Sequence, residues 1–558
     1  MTIPQIPLAQ SILQIFKAKM IKYIVISPGS RNAPLTIGFT SDSFFQCYSI
    51  ADERSAAFFA LGIAQQRKEP VAVVCTSGSA VLNFYPAVAE AFYSQIPLVV
   101  VSADRPTNKI DIGDGQTIRQ MNVLSNHTIF DANLTENAGS ENDLLIQKAL
   151  QNAKTLLGPV HINVPFEEPL YETQKDYSYK PEIAQLKIKR SLGEITENQK
   201  YTWNKAQKKL IVVGTQYPEE LTQKSIEVLA NDPSILVLTE ITSNLHHPNF
   251  IKNIDTLITS FKDQDFKEFQ PNLLITFGGM IVSKRIKALL RKYETTQHWH
   301  IDPLRAYDTF GILTEHIKST PEDFVQSMIG NSANNSSYQS KYTTILKQKL
   351  EKHSCFLEKT PLSDLKVFEL LSKYIPSNSH LQISNSAGIR YAMLFDFDSS
   401  VQVFCNRGTS GIDGSSSTAV GAATTTDKIT TLITGDVSFF YDSNALWNNY
   451  IPSNFKIIVV NNGGGGIFRI LPGHQESKTF NTYFETEHQL TARYLASMFG
   501  IDYIAAKTIE ETEEGLKKIY LEHQRPVILE LFTPTKENDK IQKEYFLNLG
   551  LCKRLLSR

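Results

Sequence analysis

Two hard oxygen donors, Asp436 in ITTLITGDVSFF and Asn462 in FKIIVVNNGGGG, stand 26 positions apart, each just past a run of β-branched residues. Continuous Val, Ile and Thr runs of this kind predict parallel strands covered on both faces. The spacing leaves room for one helix and a return strand, so the two strand ends become neighbours in one sheet. A carboxylate and an amide oxygen then converge on one point. That pair suits Mg²⁺, which takes oxygen ligands and completes an octahedral shell with phosphate and water. The glycines at 463–466 let a backbone carbonyl face the metal and let amides approach a diphosphate. Taken alone, GD plus NN would fit an ordinary pair of βα loops. The strand context at both ends and the four glycines favour the clamp. GDGQ, beginning at Gly113, matches the first half more closely, but it follows no strand run and no Asn pair follows it at the right distance. It is excluded as a metal loop.

The elements that must position these residues repeat along the chain. Its 558 residues are too many for one core and imply roughly three or four units of ~150 residues. In the first block KYIVIS, PVAVVC, PLVVVSA and PVHINVP alternate with helical stretches, and the first three lead into the polar loops SPGSRNAPL, TSGSA and SADRP. A Tyr- and Lys-rich stretch at 171–192 reads as a linker. The second block carries KLIVVG, ILVLTE, NLLITFGG and HWHID, and GNSANNSSY at 330–338 reads as a second polar break. The third carries HLQIS, VQVFCN, KITTLITG, FKIIVVN and RPVILELF. The fold class is α/β: three doubly wound parallel-sheet domains over residues 1–180, 190–335 and 355–558, with ligands expected at the carboxyl ends of the strands.

Net charge is -1, so no global basic field draws nucleic acid or a membrane surface. The five cysteines show no CxxC and no paired spacing, which argues against a disulfide scaffold or zinc site and fits a reducing compartment. No apolar run approaches ~18 residues, and the N-terminal stretch lacks a secretion-signal pattern. A cytoplasmic enzyme is expected.

Gly435-Asp436 followed by Asn461-Asn462, in the last of three α/β blocks, resembles the cofactor motif of thiamine diphosphate-dependent enzymes. The resemblance implies pyrimidine-binding, central and diphosphate-binding domains in that order. It also implies thiamine diphosphate with Mg²⁺ (Mn²⁺ as the alternative) held by Asp436, Asn462 and Gly464. The family needs a Glu in the first domain, and ADERSAAFFALGIAQ supplies Glu53. By resemblance Glu53 hydrogen-bonds the aminopyrimidine, while the cofactor carries the hard chemistry. Taken alone it would read as a solvated residue at a helix start. Ser386, Ile412, Gly435, Ile467 and Phe468 are implied as further cofactor contacts. Ile412 would prop the cofactor and Ile467 and Phe468 would wall its reactive carbon. Active sites in this class lie between two chains, so a homodimer is the implied minimum and a dimer of dimers the implied larger form.

Within the family SPGSRNAPL, DERSAAFFALG, TSGSAVLNFYPAVAEA, SADRP, GQTIRQ and NRGTSGIDGSSSTAVGAA together resemble the transferases that decarboxylate 2-oxoglutarate and add the succinyl unit to isochorismate in menaquinone biosynthesis. Both substrates are dicarboxylates, and guanidinium grips carboxylate in bidentate fashion. Arg31, Arg105 and Arg407 stand just past strands, Arg390 a helical turn beyond one, and Lys284 and Arg285 open a helix in the central block. By resemblance these six cluster on substrate carboxylates, with Ser30 beside Arg31. Gln116 resembles the family's glutamine that contacts substrate or the aminopyrimidine. The competing account is that surface arginines are mostly idle. Arg119, nearby, reads equally as a helix-surface charge. Two departures from the pattern, Gly115 before Gln116 and the glycine-only run after the asparagines, bear on individual substrate contacts and leave the clamp untouched.

Histidine is absent from the strand-end motifs. His246-His247 lies in the central block and reads as structural or exposed, and His474 stands nearer the cofactor loop. The alternative function is another thiamine diphosphate enzyme, an acetolactate synthase or 2-oxo-acid decarboxylase. The first of these would carry a flavin site in the central block, and no GxGxxG is present there. A non-catalytic binding relative is disfavoured by Glu53, Asp436 and Asn462 occurring together.

Overall fold

The computed structural model describes residues 2–187, 190–329, 335–470 and 475–550. Three all-parallel sheets follow one another along the chain. The first holds β1 (Tyr23–Ile26), β2 (Gln46–Ser49), β3 (Val71–Cys75), β4 (Leu98–Asp104), β5 (Phe130–Asn133) and β6 (Val160–Pro165), in the order β2-β1-β3-β4-β6-β5. The central sheet holds β7 (Lys209–Val213), β8 (Ile235–Thr239), β9 (Leu273–Phe277), β10 (His298–Ile301) and β11 (Glu315–Ile317), in the order β8-β7-β9-β10-β11. The last holds β12 (His380–Ile383), β13 (Gln402–Phe404), β14 (Thr430–Gly435), β15 (Phe455–Asn461), β16 (Asp502–Ala506) and β17 (Val527–Phe532), in the order β13-β12-β14-β15-β17-β16. The first and last sheets therefore share one topology, and each switches direction between strands that are first and third in chain order and neighbours in space, β1/β3 and β12/β14, where loops can splay around a ligand. Every residue of β1, β3, β4 and β6 is buried, as a sheet covered on both faces requires.

The helices that carry or brace the site are α1 (Glu53–Arg67), α2 (Ile254–Ile258), α3 (Lys284–Lys292), α4 (Ala387–Ala392), α5 (Ser415–Ala423), α6 (Asp436–Tyr441), α7 (Ile467–Ile470) and α8 (Asn538–Gly550). Asp52 caps α1 by accepting the Ser55 N–H. Residues 55–65 of α1 and all nine of α5 are buried, so both are core helices rather than surface ones. They cross where both helices carry glycine. A Cβ on Gly62 would stand 2.1 Å from the Thr418 carbonyl oxygen, and one on Gly421 would stand 2.1 Å from that of Phe59. The obstacle on each side is rigid backbone. Gly62→Ala must therefore push the first and last domains apart. The expected cost is about 1–3 kcal/mol, read as a thermal midpoint several degrees lower. An unchanged midpoint would mean the crossing has slack.

The stretch after the first sheet is fastened rather than loose: Gln10 Oε1 accepts the N–H groups of Ser178 and Tyr179, and Asp143 accepts the Tyr179 hydroxyl. The central domain is tied to the last by Asn244, which exchanges two hydrogen bonds of 2.8 Å with the backbone of Val403. Much of the 330–338 break lies outside the described residues. No described helix is long and apolar enough to cross a membrane.

Candidate active site

β14 and β15 pair in parallel with Gly435 opposite Val460, so the loops bearing Asp436 and Asn462 are adjacent, as the spacing predicts. Asp436 opens α6 and is 2% exposed. Its Oδ2 accepts the N–H groups of Gly463 at 2.8 Å and Gly464 at 3.0 Å, and its Oδ1 accepts that of Val437 at 2.6 Å. The turn that aims two successive amides at one carboxylate uses φ of +77° at Gly463 and +155° at Gly464, a region that disfavours side chains. The Gly464 carbonyl accepts the Gly466 N–H at 3.0 Å and keeps one lone pair.

Asn462 is turned by Asp364, whose Oδ2 accepts its Nδ2 at 2.9 Å. That bond assigns the amide orientation and leaves Asn462 Oδ1 buried with no hydrogen-bond partner. A buried orphan acceptor beside a buried carboxylate is what a hard divalent cation would satisfy, so the residues present fit Mg²⁺ or Mn²⁺. Asp364 is itself buried, braced by the Thr533 hydroxyl at 2.6 Å. Burial pushes its carboxyl up to about 6, with the charge of Asp436 adding to the rise and the bonds from Thr533 and Asn462 opposing it.

One sequence expectation is corrected here. A histidine does reach the clamp: His488 Nε2 lies 3.4 Å from Asp436 Oδ2. Its Nδ1 accepts the Leu490 N–H, which puts the proton of the neutral ring on Nε2, facing the carboxylate. His488 also donates its backbone N–H to Gly463. It escaped notice because it follows no strand and lies 26 residues beyond Asn462. His474 lies outside the described residues. His246 is half-buried, and burial holds its pKa below the usual value.

Around the clamp, the Ile412 carbonyl accepts the Ser438 hydroxyl at 3.0 Å, which seats the SGIDG loop against α6. Ser386 precedes α4 with φ of +71°, a strained value for a residue with a side chain, and its carbonyl accepts Arg390 Nη1. Ile467 and Phe468 open α7 and are partly exposed, with Phe468 against Phe484. Their loop is latched by Glu485, which accepts the Gly465 N–H on its carbonyl and pairs through its carboxylate with buried Arg469.

The candidate substrate cations form two sets within one chain. Arg31 and Arg105 both reach Glu168, at 2.9 and 3.6 Å, and each has a buried Nε without a partner. Ser30 is exposed beside them, and Gln116, with φ of +56°, is exposed on the loop whose Gly115 carbonyl accepts Arg105 Nη2. The buried glutamine of GQTIRQ is Gln120, which accepts the Gly78 N–H and donates to the Ala103 carbonyl and to Asn163. Sequence alone could not tell which of the two would be buried. The second set is Arg407, buried on Asn385 at 2.7 Å, with Arg390 and, across the domain boundary, Arg285 and exposed Lys284. No hydrogen bond or ion pair joins the two sets among the described residues.

Glu53 is the half-buried first residue of α1. Its neighbours Asp52 and Arg54 bond Asn444 and the Tyr441 carbonyl, at and beyond the C-terminal end of α6. Asp436 opens the opposite end of that helix, about 8 Å away along its axis.

Three family models match in this order: "Thiamine pyrophosphate enzyme, N-terminal TPP binding domain" over residues 6–125, "Middle domain of thiamine pyrophosphate" over 179–383, and "Thiamine pyrophosphate enzyme, C-terminal TPP binding domain" over 387–531. A thiamine diphosphate-dependent 4-hydroxybenzoylformate decarboxylase of Rhodococcus jostii shares the fold, with a TM-score of 0.72 over 95% of this chain and 99% of its own at 16% identity. The fold and the three matched domains are those of a thiamine diphosphate-dependent enzyme. A 2-succinyl-5-enolpyruvyl-6-hydroxy-3-cyclohexene-1-carboxylate synthase of Flavobacterium psychrophilum is 60% identical over 98% of this chain and 100% of its own. Those of Christiangramia forsetii and Porphyromonas gingivalis are 49% and 38% identical, over 97% and 96% of this chain and 98% and 96% of their own. The chain belongs to the 2-succinyl-5-enolpyruvyl-6-hydroxy-3-cyclohexene-1-carboxylate synthase family.

Proposed function

We propose that the protein decarboxylates 2-oxoglutarate and joins the succinyl unit that remains to isochorismate, releasing CO₂, in menaquinone biosynthesis. The observation that carries this reading is the buried Asp436–Asn462 clamp in a chain that also holds two sets of cations at strand ends and helix starts. Bound thiamine diphosphate supplies the electron sink that decarboxylation of a 2-oxo acid requires. Asp436, Asn462 Oδ1 and the Gly464 carbonyl would hold Mg²⁺, with Mn²⁺ as the alternative. Gly435, Ser386, Ile412, Ile467 and Phe468 would line the cofactor when it is bound, and the apolar pair Ile467 and Phe468 would then help keep water from the reacting carbon. The Glu53 carboxyl gives and takes a proton at a ring nitrogen of the pyrimidine. Arg31 and Arg105, with Ser30 and Gln116, and Lys284, Arg285, Arg390 and Arg407 grip the substrate carboxylates.

The functional unit in this reading is a homodimer or a dimer of dimers, with Glu53 of one chain facing the clamp of another. The separation of Glu53 from Asp436 along α6 within one chain supports it. Exposed Tyr441 and Trp447, at and just past that helix, supply apolar surface for an interface.

The test is incubation with thiamine diphosphate, Mg²⁺, 2-oxoglutarate and isochorismate, following isochorismate absorbance with mass detection of the adduct. Product that requires all four components is expected. CO₂ release from another 2-oxo acid without adduct would move the chain to a different reaction on the same cofactor. Arg407→Ala is expected to raise the KM for 2-oxoglutarate or isochorismate about 10-fold or more while leaving cofactor affinity within about 3-fold. Equal losses on both would remove Arg407 from substrate binding.

A further inference from the structure

One buried carboxylate beneath the second cation set has no part in the reaction above. Glu240 follows β8 and is 3% exposed. Its Oε2 accepts the Val282 N–H and its Oε1 the Ser283 N–H, each at 2.7 Å. Those two amides immediately precede Lys284 and Arg285, the first two residues of α3. The Ser283 hydroxyl donates to Asp255 of α2, and Asp255 Oδ2 lies 3.9 Å from Arg285 Nε. The Arg285 guanidinium lies 4.2 Å from the ring of Phe546 on α8. Backbone and side chain of this cationic turn are therefore held separately, the backbone by Glu240.

Glu240 also faces the other domain. Its carboxylate interacts with Arg407, and the Asn244–Val403 bonds fasten the two domains beside it. We propose that Glu240 is a positioning residue that holds Lys284 and Arg285 in register with Arg390 and Arg407, so that two domains present one cation set to a carboxylate substrate. The inference rests on the function proposed above. A carboxylate is required because two N–H donors meet two oxygens. A glutamine would offer one acceptor and turn an NH₂ against the second N–H.

Among the described residues Arg407 from the last domain, Asp255 from α2 and Lys287 from α3 act on the Glu240 charge, and His246, Lys252, Asp396 and Asp398 line the same cavity. Burial pushes its carboxyl up to about 7, against the two backbone bonds and Arg407. Uptake of a proton below that pH would cost one acceptor and loosen the turn.

The test is steady-state kinetics of full-length Glu240→Gln holoenzyme at several pH values, beside cofactor titration. The KM for a carboxylate substrate is expected to rise about 10-fold, with kcat within about 3-fold and cofactor affinity unchanged. In the native enzyme that KM should climb as pH falls through about 7, and in the variant it should stay high and flat. In a Lys284→Ala/Arg285→Ala background the substitution should add nothing further. An unchanged KM with only a lowered thermal midpoint would overturn the role, as would additivity with the double variant. If Glu240→Gln does not fold, Glu240→Asp, which keeps the charge but falls one methylene short, is read by the same split, and an unchanged KM there overturns it too. Native turnover of both substrates is measured first. Its absence defeats the proposed function and this role together, whereas normal native turnover with an unaffected variant defeats this role alone.

Discussion

Glu53→Gln is expected to lower turnover by about 10²–10⁴-fold and to leave thiamine diphosphate affinity within about 3-fold of native. The expectation follows from where Glu53 stands. It is the first residue of α1, whose start is held by the Asp52 cap and by the Asn444 and Tyr441 contacts of its neighbours. None of these uses the Glu53 carboxyl, so an isosteric amide leaves the helix start intact. An amide still hydrogen-bonds a ring nitrogen but cannot exchange a proton with it, so binding survives and proton transfer does not. Steady-state turnover beside a calorimetric cofactor titration separates the two effects. Near-native turnover would remove Glu53 from its role, and parallel loss of binding and turnover would make it a binding residue.

Asp436→Ala is expected to weaken Mg²⁺-dependent binding of thiamine diphosphate by more than about 100-fold. The carboxylate now accepts three backbone N–H groups, two of them from the glycine turn. Bonds to a charged acceptor contribute about 1.5–3 kcal/mol each, so losing two at the low end is about 3 kcal/mol, or about 100-fold if the turn must be re-formed on binding. Loss of a charged metal ligand adds to this. Calorimetry with and without Mg²⁺ measures it, and unchanged affinity refutes the clamp. Asp436→Asn, which keeps one acceptor oxygen, should fall between the two.

The strand ends bearing Asp436, Asn462, Arg31, Arg105 and Arg407 were legible because fully buried parallel strands are written as continuous β-branched runs, and their carboxyl ends are where loops meet ligands. Glu53 became legible through the motif around it, since a Glu at a helix start is otherwise unremarkable. Of the six edge strands, β8 and β13 were still legible as ILVLTE and VQVFCN, whereas β2, β5, β11 and β16 left no such trace. Each has one neighbour, and QCYS, FDAN, EHI and DYIAA are part-exposed and polar enough to pass for loops.

What only the tertiary structure decided is the support around the site. Asp364 orients Asn462 from 98 positions away, and Glu240 holds amides 42 and 43 positions away. His488 reaches Asp436 from a segment with no strand of its own. A buried polar side chain is set by whichever donors the fold brings to it, and no local pattern encodes a partner a hundred residues off. The division of the six cations into two sets, and the placement of Glu53 near the end of α6 opposite Asp436, are likewise set by contacts between distant segments. Sequence determined which residues stand at strand ends and hence what chemistry is available. Tertiary packing, which brings distant segments together, decided which of those ends stand side by side.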